Sequence, residues 1–379
     1  MAIDANKIVQ DCFDAVRDCI TNLNTLNIIV AGKTGVGKST LINSVFREEL
    51  AETGIGRPVT RNIRRISKPD FPLVVYDTKG FELSEKVQRE VKDQVMKIIR
   101  DGFACKDINK TIHCVWYCVN AASNRIEPEE IEGLRELGNE NEMTQVPIIV
   151  VLTQCISKKR CQDLRKVIEE ESLNIIQVVP VLAKDYEIDD EYVAKSFGLD
   201  VLIRVMGDAL PDELVDTLQN LQIVSLEEKI NRAQAAVVTA VTAATATGAS
   251  PIPVSDCAVL IPIQITMIAG IAAVFGVELS KSLITSIVTT LLGAGGATLL
   301  GKTVVSNLLK FIPGAGSVVG GVISGATAGA LTAALGETFI WVMSQIFKGE
   351  MSEKDFSTKE GREQMSSKFK EQLSLVRTK

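Results

Sequence analysis

The chain has 379 residues, a formal net charge of −6, 8 Cys and a single His. This length predicts about two or three domains, each large enough for its own hydrophobic core. The acidic balance argues against nucleic acid as a partner, because such binders need an excess of Lys and Arg. No two Cys form a C-x-x-C pair, so zinc is not expected, and buried free thiols in a reducing, cytoplasmic compartment are the interpretation.

The first predicted element is an amphipathic helix over residues 3–23, in which apolar residues recur every three to four positions. We expect it to pack on the outside of the domain that follows, with binding of a partner as the alternative. A predicted strand over 27–31 comes next.

Residues 32–39 read GKTGVGKS and follow the pattern G-x-x-x-x-G-K-S, between the apolar run 26–31 and a helix-forming run. A strand, a glycine-rich loop and a helix are the context that a phosphate-binding loop requires. Its glycines let backbone N–H groups turn toward one anion, and the helix dipole adds positive potential. Lys38 is predicted to contact the β- and γ-phosphates, and Ser39 to ligate Mg²⁺. The predicted phosphate-contacting residues are Gly32, Lys33, Thr34, Gly35, Val36, Gly37, Lys38, Ser39 and Thr40.

Thr60 is the hydroxyl-bearing residue just before a predicted strand over 62–67, within the polar, glycine-containing stretch 51–61. Such a stretch between a nucleotide-binding helix and the next strand is where a mobile switch would lie. We assign Thr60 to Mg²⁺ and the γ-phosphate, with a solvent-exposed turn threonine as the alternative.

The apolar run from residue 73 ends in the pattern D-x-x-G, formed by Asp77 and Gly80. Asp77 is predicted to hold Mg²⁺ through water, and Gly80 to offer its backbone N–H to the γ-phosphate. Phe81 follows, and its side chain cannot hydrogen-bond an attacking water. Hydrolysis is therefore expected to be slow, unless another group or a partner positions the water.

Predicted strands over 111–119, 147–152 and 175–182 alternate with helices, which favours a parallel sheet covered on both faces. Ligands of such sheets bind at the carboxyl ends of the strands. The phosphate loop and Asp77 lie at these ends. So do four further residues: Thr153, Gln154, Ala183 and Lys184.

The order of these elements, with T-Q-C-I at 153–156, resembles the translation-factor-like GTPases, and within them the Era, septin, dynamin and immunity-related branches. The resemblance covers residues 25–210 and implies GTP or GDP as the nucleotide. It implies that Gln154 lies along the base and that the Ala183 N–H reaches the guanine carbonyl oxygen. The family pattern N/T-K-x-D has an acid where this chain has Ile156. Loose purine specificity, or guanine reading by Asp163 or a backbone carbonyl, therefore stays open.

The second half has a different composition. A long helix is predicted over about 212–246, and the runs 257–277, 282–301 and 311–336 contain no charged residue. Each run is long enough to cross a bilayer as a helix. Each is also diluted with Gly, Ala, Ser and Thr, so a compact domain of fully buried helices is the alternative to membrane spans.

Gly321, Gly325 and Gly329 are four residues apart, which predicts a groove that another helix can approach closely. The stretches 256–264, 275–280 and 311–316 resemble the glycine-rich helical domain of unknown function 697, over residues 225–345. That label implies an architecture but no activity.

Residues 348–379 are charged, with an apolar stripe at Met365, Phe369, Leu373 and Val376. The stripe predicts an amphipathic helix from about residue 359. Its mixture of acids and bases favours docking on protein over binding anionic lipid, and a frayed tail is the alternative.

The predicted fold is an α/β P-loop GTPase domain with a mostly parallel sheet, followed by an all-α, glycine- and alanine-rich helical domain. The expected segments are an N-terminal helix 1–24, a GTPase domain 25–210, a helical domain 211–347 and a charged tail 348–379.

The expected activity is slow, Mg²⁺-dependent hydrolysis of GTP to GDP and phosphate, which switches the helical domain toward a protein effector. One alternative is a dynamin-like or immunity-related-type protein that remodels membranes through self-association. The other is a scaffold that binds nucleotide and scarcely hydrolyses it.

Overall fold

The computed structural model describes residues 5–46, 55–60, 62–69, 71–78, 85–189, 191–247, 252–253, 260–277, 279–291, 322–323 and 325–376. The chain forms two compact units. The α/β unit is Leu23–Ser225, and the helical unit combines Met1–Asn22 with Leu226–Lys379.

A seven-stranded sheet is the centre of the α/β unit, in the order β2-β3-β4-β1-β5-β6-β7. Pairs among β4, β1, β5, β6 and β7 are parallel, whereas β2 and β3 add an antiparallel edge, so the predicted mostly parallel sheet is confirmed. The strands are β1 Leu26–Ala31, β2 Ile55–Pro58, β3 Ile63–Ser67, β4 Leu73–Thr78, β5 Cys114–Asn120, β6 Ile148–Thr153 and β7 Gln177–Pro180. Strands β8 Tyr186–Glu187 and β9 Val193–Ala194 form a separate ribbon.

Helices cover both faces of this sheet, which is why its central strands are continuous apolar runs. Every residue of β1 is buried, with Ile28 and Val30 in one hydrophobic cluster and Ile29 and Ala31 in the other. The helices are α2 Lys38–Val45, α3 Glu85–Ala104, α4 Pro128–Glu140, α5 Lys158–Glu170, α6 Leu199–Ala209 and α7 Asp212–Leu221. Helices α2, α6 and α7 pack on the first face, and α3, α4 and α5 on the second.

The single long helix predicted over 212–246 is wrong, because the structure has two helices, α7 and α8 (Leu226–Thr247). The Gln222 side chain causes the break. Its amide oxygen accepts from the backbone N–H groups of Val224 and Ser225, and its amide nitrogen donates to the Ser225 carbonyl. Helix α7 packs into the α/β unit, so the two units divide the chain at positions that differ from the expected segments.

The described residues of the helical unit form α1 (Ala5–Thr21) and five later helices around one apolar core. The later helices are α8, α9 Leu260–Phe275, α10 Lys281–Leu291, α11 Gly325–Phe347 and α12 Lys359–Val376. A short ribbon pairs β10 Ile252–Pro253 with β11 Val322–Ile323. Apolar residues of α1 and α12 face this core, and the predicted amphipathic helix from residue 359 is confirmed. The expectation that α1 packs on the outside of the α/β domain is wrong, because its apolar face is buried by helices of the helical unit.

Glycines on α11 allow close packing against α8. A Cβ at Gly336 would lie 2.6 Å from Val237 Cγ2, and one at Gly329 would collide with the Thr245 hydroxyl. Of the predicted glycine groove, Gly329 is therefore at the helix contact, and Gly321 lies outside the described residues. Helix α11 is long and apolar enough to cross a membrane, but 61% of its apolar window is buried within the protein, as in a core helix.

Cys155 and Cys161 form a disulfide, with their Cα atoms 5.9 Å apart. The expectation of free thiols is therefore wrong for this pair. Cys155 lies in the loop after β6 and Cys161 in the first turn of α5, and the loop closes onto the helix start. The described free cysteines are Cys12, Cys19, Cys105, Cys114 and Cys118.

Candidate nucleotide-binding site

The glycine-rich loop joins the end of β1 to the start of α2 along the carboxyl edge of the sheet. Gly32, Gly35 and Gly37 have φ values of 138°, 75° and 97°, which L side chains rarely adopt. Gly32 also passes so close to β5 that a Cβ would collide with the Cys118 carbonyl oxygen. Helix α2 has no side-chain cap at Gly37, so its first-turn N–H groups suit an anion.

Lys38 is the first residue of α2 and is only 9% exposed. Its ammonium donates to the carbonyl oxygens of Gly32 and Lys33, each at 2.9 Å. The charge is thus held inside the loop. Ser39 and Thr40 follow it on α2, and both are exposed, as is Thr34 in the loop.

The Lys33 side chain points to helix α4. Its ammonium lies 3.1 Å from both Glu127 Oε2 and Glu130 Oε2. Partial burial lowers the pKa of Lys33, but the two carboxylates outweigh it and raise this pKa. The same Glu130 carboxylate accepts from the Glu127 backbone N–H in a capping box. Lys33 therefore anchors the loop to α4.

Asp77 lies near the end of β4, directly beside Val30 of β1. Burial raises the pKa of its carboxyl group, while the positive charges of Lys38 and Arg64 act in the opposite direction. Among the described residues, its buried Oδ1 has no hydrogen-bond partner. A buried carboxylate oxygen of this kind, interacting electrostatically with Lys38 of the phosphate loop, fits Mg²⁺, whose ligands are carboxylates, waters and phosphate oxygens.

Thr60 lies in the turn between β2 and β3. Its hydroxyl donates to Gln94 Oε1 on α3 at 2.6 Å and accepts from the backbone N–H groups of Asn62 at 3.3 Å and Ile63 at 3.1 Å. Gly80, the other predicted γ-phosphate sensor, lies outside the described residues, as does Phe81.

Two residues at the carboxyl end of β6 contact the phosphate loop. Thr153 is buried, and its hydroxyl lies within hydrogen-bond distance of the Val36 carbonyl (2.5 Å) and the Val119 carbonyl (3.1 Å). Gln154 donates from Nε2 to the Gly35 carbonyl at 2.9 Å. Both predicted base-side residues therefore contact the loop itself.

The second predicted base-side element follows β7. Ala183 is half-buried and Lys184 is exposed. The next acid, Asp185, accepts from Lys195 Nζ and from the Ser196 backbone N–H, each at 2.8 Å, and these bonds lower its pKa to about 2. This carboxylate is thus occupied, and Asp163, the acid considered from the sequence, is exposed on α5.

Sequence reasoning missed three residues, on or next to helices α3 and α4, that contact the site: Gln94, Glu127 and Glu130. Glu127 and Glu130 carry one local signal, the spacing of a capping box before a helix. Gln94 carries none, because its contact with Thr60 joins positions 34 residues apart.

The loop, the mostly parallel sheet and the carboxylate at the end of β4 define a P-loop GTPase domain. Residues 27–154 match the family described as 50S ribosome-binding GTPase, and residues 212–378 match Domain of unknown function (DUF697). One region of the chain thus matches a GTPase family and another matches the DUF697 family, and the resemblance drawn from the sequence is confirmed.

Two relatives each match less than half of this chain. "GTPase ERA-like, chloroplastic" of Oryza sativa subsp. japonica is 30% identical over 169 residues, which cover 43% of this chain and 37% of that protein. Septin-9 of Homo sapiens is 25% identical over 204 residues, covering 48% and 34%. The chain thus spans little more than a third of the length of these relatives. A solved structure of a probable GTP-binding protein engB is 20% identical, and the match covers 48% of this chain and 97% of that one, with a TM-score of 0.31.

Proposed function

We propose that this chain is a Mg²⁺-dependent GTP-binding protein and slow GTPase that acts as a nucleotide-controlled switch on its helical domain. The observation that best supports this is the buried Lys38 ammonium. It is enclosed by a glycine-rich loop and interacts electrostatically with Asp77, whose buried Oδ1 has no hydrogen-bond partner among the described residues. A loop of this form binds polyphosphate, and family membership favours guanine nucleotides.

Binding begins with an exchange of partners at Lys38. Its ammonium leaves the carbonyl oxygens of Gly32 and Lys33 and contacts the β- and γ-phosphates, while the first N–H groups of α2 surround the phosphate oxygens. Ser39, Thr60 and Asp77 are the residues that would hold Mg²⁺. When bound, the ion neutralises phosphate charge.

In the hydrolytic step, water attacks the γ-phosphorus in line and the bond to the β–γ bridging oxygen breaks, which yields GDP and phosphate. Phe81 follows the D-x-x-G pattern and cannot orient this water, so unassisted turnover is slow. Loss of the γ-phosphate then releases Thr60 and Gly80, and the helical domain and its protein effector respond.

Guanine selection rests on backbone groups more than on side chains. Ile156 replaces the acid of the family pattern, and the Asp185 carboxylate is engaged by Lys195. The Ala183 N–H is the donor we assign to the guanine carbonyl oxygen. Discrimination against other purines is therefore weaker than a site with an acid would give.

The first experiment is titration of a fluorescent GTP analogue against the full chain and Lys38→Ala. We expect the variant to lose binding while its thermal unfolding stays cooperative. Unchanged binding by a folded variant would show that the site is assigned to the wrong loop. Phosphate release under single-turnover conditions then separates a slow GTPase from a scaffold, which would retain its GTP.

Membrane remodelling through self-association is the second candidate, favoured by the apolar helix α11. It ranks behind the switch because most of that helix is buried in the helical core. Extraction of membrane pellets with alkaline carbonate tests it. Retention of the protein in the pellet, with assembly on vesicles that depends on nucleotide, would reverse the ranking.

A further inference from the structure

We propose that Gln94 is a positioning residue for the switch, a latch that holds the Thr60 hydroxyl away from the metal until GTP binds. This inference rests on the proposed role of Thr60 as the sensor of Mg²⁺ and the γ-phosphate. Gln94 belongs to neither the phosphate loop nor the base-side elements. Its amide oxygen accepts from Thr60 at 2.6 Å, the shortest of the three hydrogen bonds at that hydroxyl.

The Thr60 hydroxyl has no hydrogen-bonding capacity left. A threonine hydroxyl offers one proton and two lone pairs. The proton goes to Gln94, and the lone pairs accept from the backbone N–H groups of Asn62 and Ile63. A metal ion needs one of those lone pairs, so Thr60 must rearrange before it can become a ligand.

The position of Gln94 is set by helix α3, which is packed against the sheet and bound to α4. Its neighbours Val91, Val95 and Ile99 on α3 are buried against the sheet. Lys92 binds α4 through Glu136 at 2.6 Å and Glu140 at 2.9 Å. Helix α3 is therefore anchored, and it places the Gln94 amide beside the turn that contains Thr60.

The latch joins the two segments that respond to the γ-phosphate. Thr60 belongs to the turn after β2, and α3 is the helix that follows the D-x-x-G pattern at the end of β4. One hydrogen bond thus keeps the turn and the helix together in the disengaged conformation. Recruitment of Thr60 by GTP and Mg²⁺ must break it, whereas GDP has no γ-phosphate and leaves it in place.

The latch consequently lowers the affinity for GTP and not for GDP. Only unlatched molecules can use Thr60 to bind GTP. The apparent affinity for GTP is therefore the affinity of the unlatched protein multiplied by the fraction of molecules that is unlatched. The net contribution of one neutral hydrogen bond corresponds to about a fivefold change in an equilibrium constant. Removing the latch is therefore expected to raise GTP affinity by about fivefold.

The experiment measures dissociation constants of the full chain for a non-hydrolysable GTP analogue and for GDP, both with Mg²⁺. Gln94→Leu keeps the size of the side chain but cannot accept, and should tighten the GTP analogue about fivefold with GDP unchanged. Gln94→Glu offers a charged acceptor, which binds a hydroxyl more strongly, and should weaken the GTP analogue relative to GDP. Lys97→Ala, exposed on the same helix, is the matched control and should change neither.

Thr60→Ala separates the latch from the proposed function. Alone, it should weaken the GTP analogue and leave GDP unchanged, and in its background Gln94→Leu should have no effect. If Thr60→Ala acts as expected but Gln94→Leu leaves the GTP-to-GDP ratio unaltered, the latch is refuted and the sensor role of Thr60 stands. If Thr60→Ala leaves that ratio unaltered, Thr60 is not the sensor, and the proposed switch fails together with the latch.

Discussion

Two alanine substitutions in the phosphate loop measure how tightly the loop is bound to the sheet. Gly32 and Gly35 both have positive φ, 138° and 75°. At Gly32 a Cβ would collide with the Cys118 carbonyl oxygen on β5, whereas at Gly35 no atom lies within 4 Å of such a Cβ. Gly35→Ala is therefore the control for Gly32→Ala, since it also places a Cβ at positive φ but without the collision.

The expected loss of unfolding free energy has two contributions, backbone strain and steric collision. Backbone strain costs about 1–3 kcal/mol for alanine at either position. The collision at Gly32 adds about 1–3 kcal/mol, because the Cys118 carbonyl belongs to a central strand and cannot move freely. Gly32→Ala should thus lower the free energy of unfolding of the α/β unit by about 1–3 kcal/mol more than Gly35→Ala does.

Urea unfolding followed by tryptophan fluorescence measures the difference. In a Trp341→Phe background, the signal comes from Trp116, which is fully buried in the α/β unit and stacked on Phe46 with ring centroids 5.8 Å apart. The nucleotide-free protein is used, so that lost binding does not contribute. Equal losses for the two variants, or a larger loss for Gly35→Ala, would refute the close approach of the loop to β5.

Three further outcomes are expected. Asp77→Asn should abolish Mg²⁺-dependent nucleotide binding yet stabilise the nucleotide-free protein at pH 7. Because burial raises the pKa of Asp77, its ionisation destabilises the fold, and the advantage of Asn should disappear as the pH falls toward 3.8 in thermal melts. Lys229 is fully buried and donates to carbonyls at the end of α9, so Lys229→Met should cost about 2 kcal/mol of unfolding free energy by Trp341 fluorescence. Gly336→Ala should lower the free energy of unfolding of the helical unit, because the new Cβ collides with Val237. A Cβ at Gly133 on α4 would meet no atom within 4 Å, so Gly133→Ala should raise the free energy of unfolding of the α/β unit by about 1 kcal/mol. Urea unfolding measures both changes.

Local sequence patterns predicted the parts of the site that are formed by residues contiguous in the chain. The phosphate loop is contiguous from Gly32 to Ser39, and Asp77 ends an apolar strand, so strand, loop and helix signals identify both. The contacts of Lys33 with Glu130 and of Thr60 with Gln94 join distant segments. No periodicity or turn signal encodes such pairs, because they arise only when the sheet brings α3 and α4 alongside.

The helical unit shows the same limit in a different form. Charge-free runs and apolar stripes predicted helices, including those that became α1 and α12. The break at Gln222 was missed because it contains neither Gly nor Pro, and a side-chain amide replaces the backbone partners. The bond between Cys155 and Cys161 was missed because a spacing of six residues resembles no common cysteine motif.

The α/β unit is inserted between α1 and the rest of the helical unit, and this has a consequence for biosynthesis. Chains fold progressively as they leave the ribosome from the N-terminus. Helix α1 is made before the α/β unit, but the helices that cover Ile8, Cys12 and Val16 are made only after residue 225. The GTPase domain can therefore acquire its structure, and its first nucleotide, while the helical unit is still unfinished. Contacts between segments so far apart in sequence form slowly, so α1 is a segment that chaperones would encounter with its apolar face uncovered.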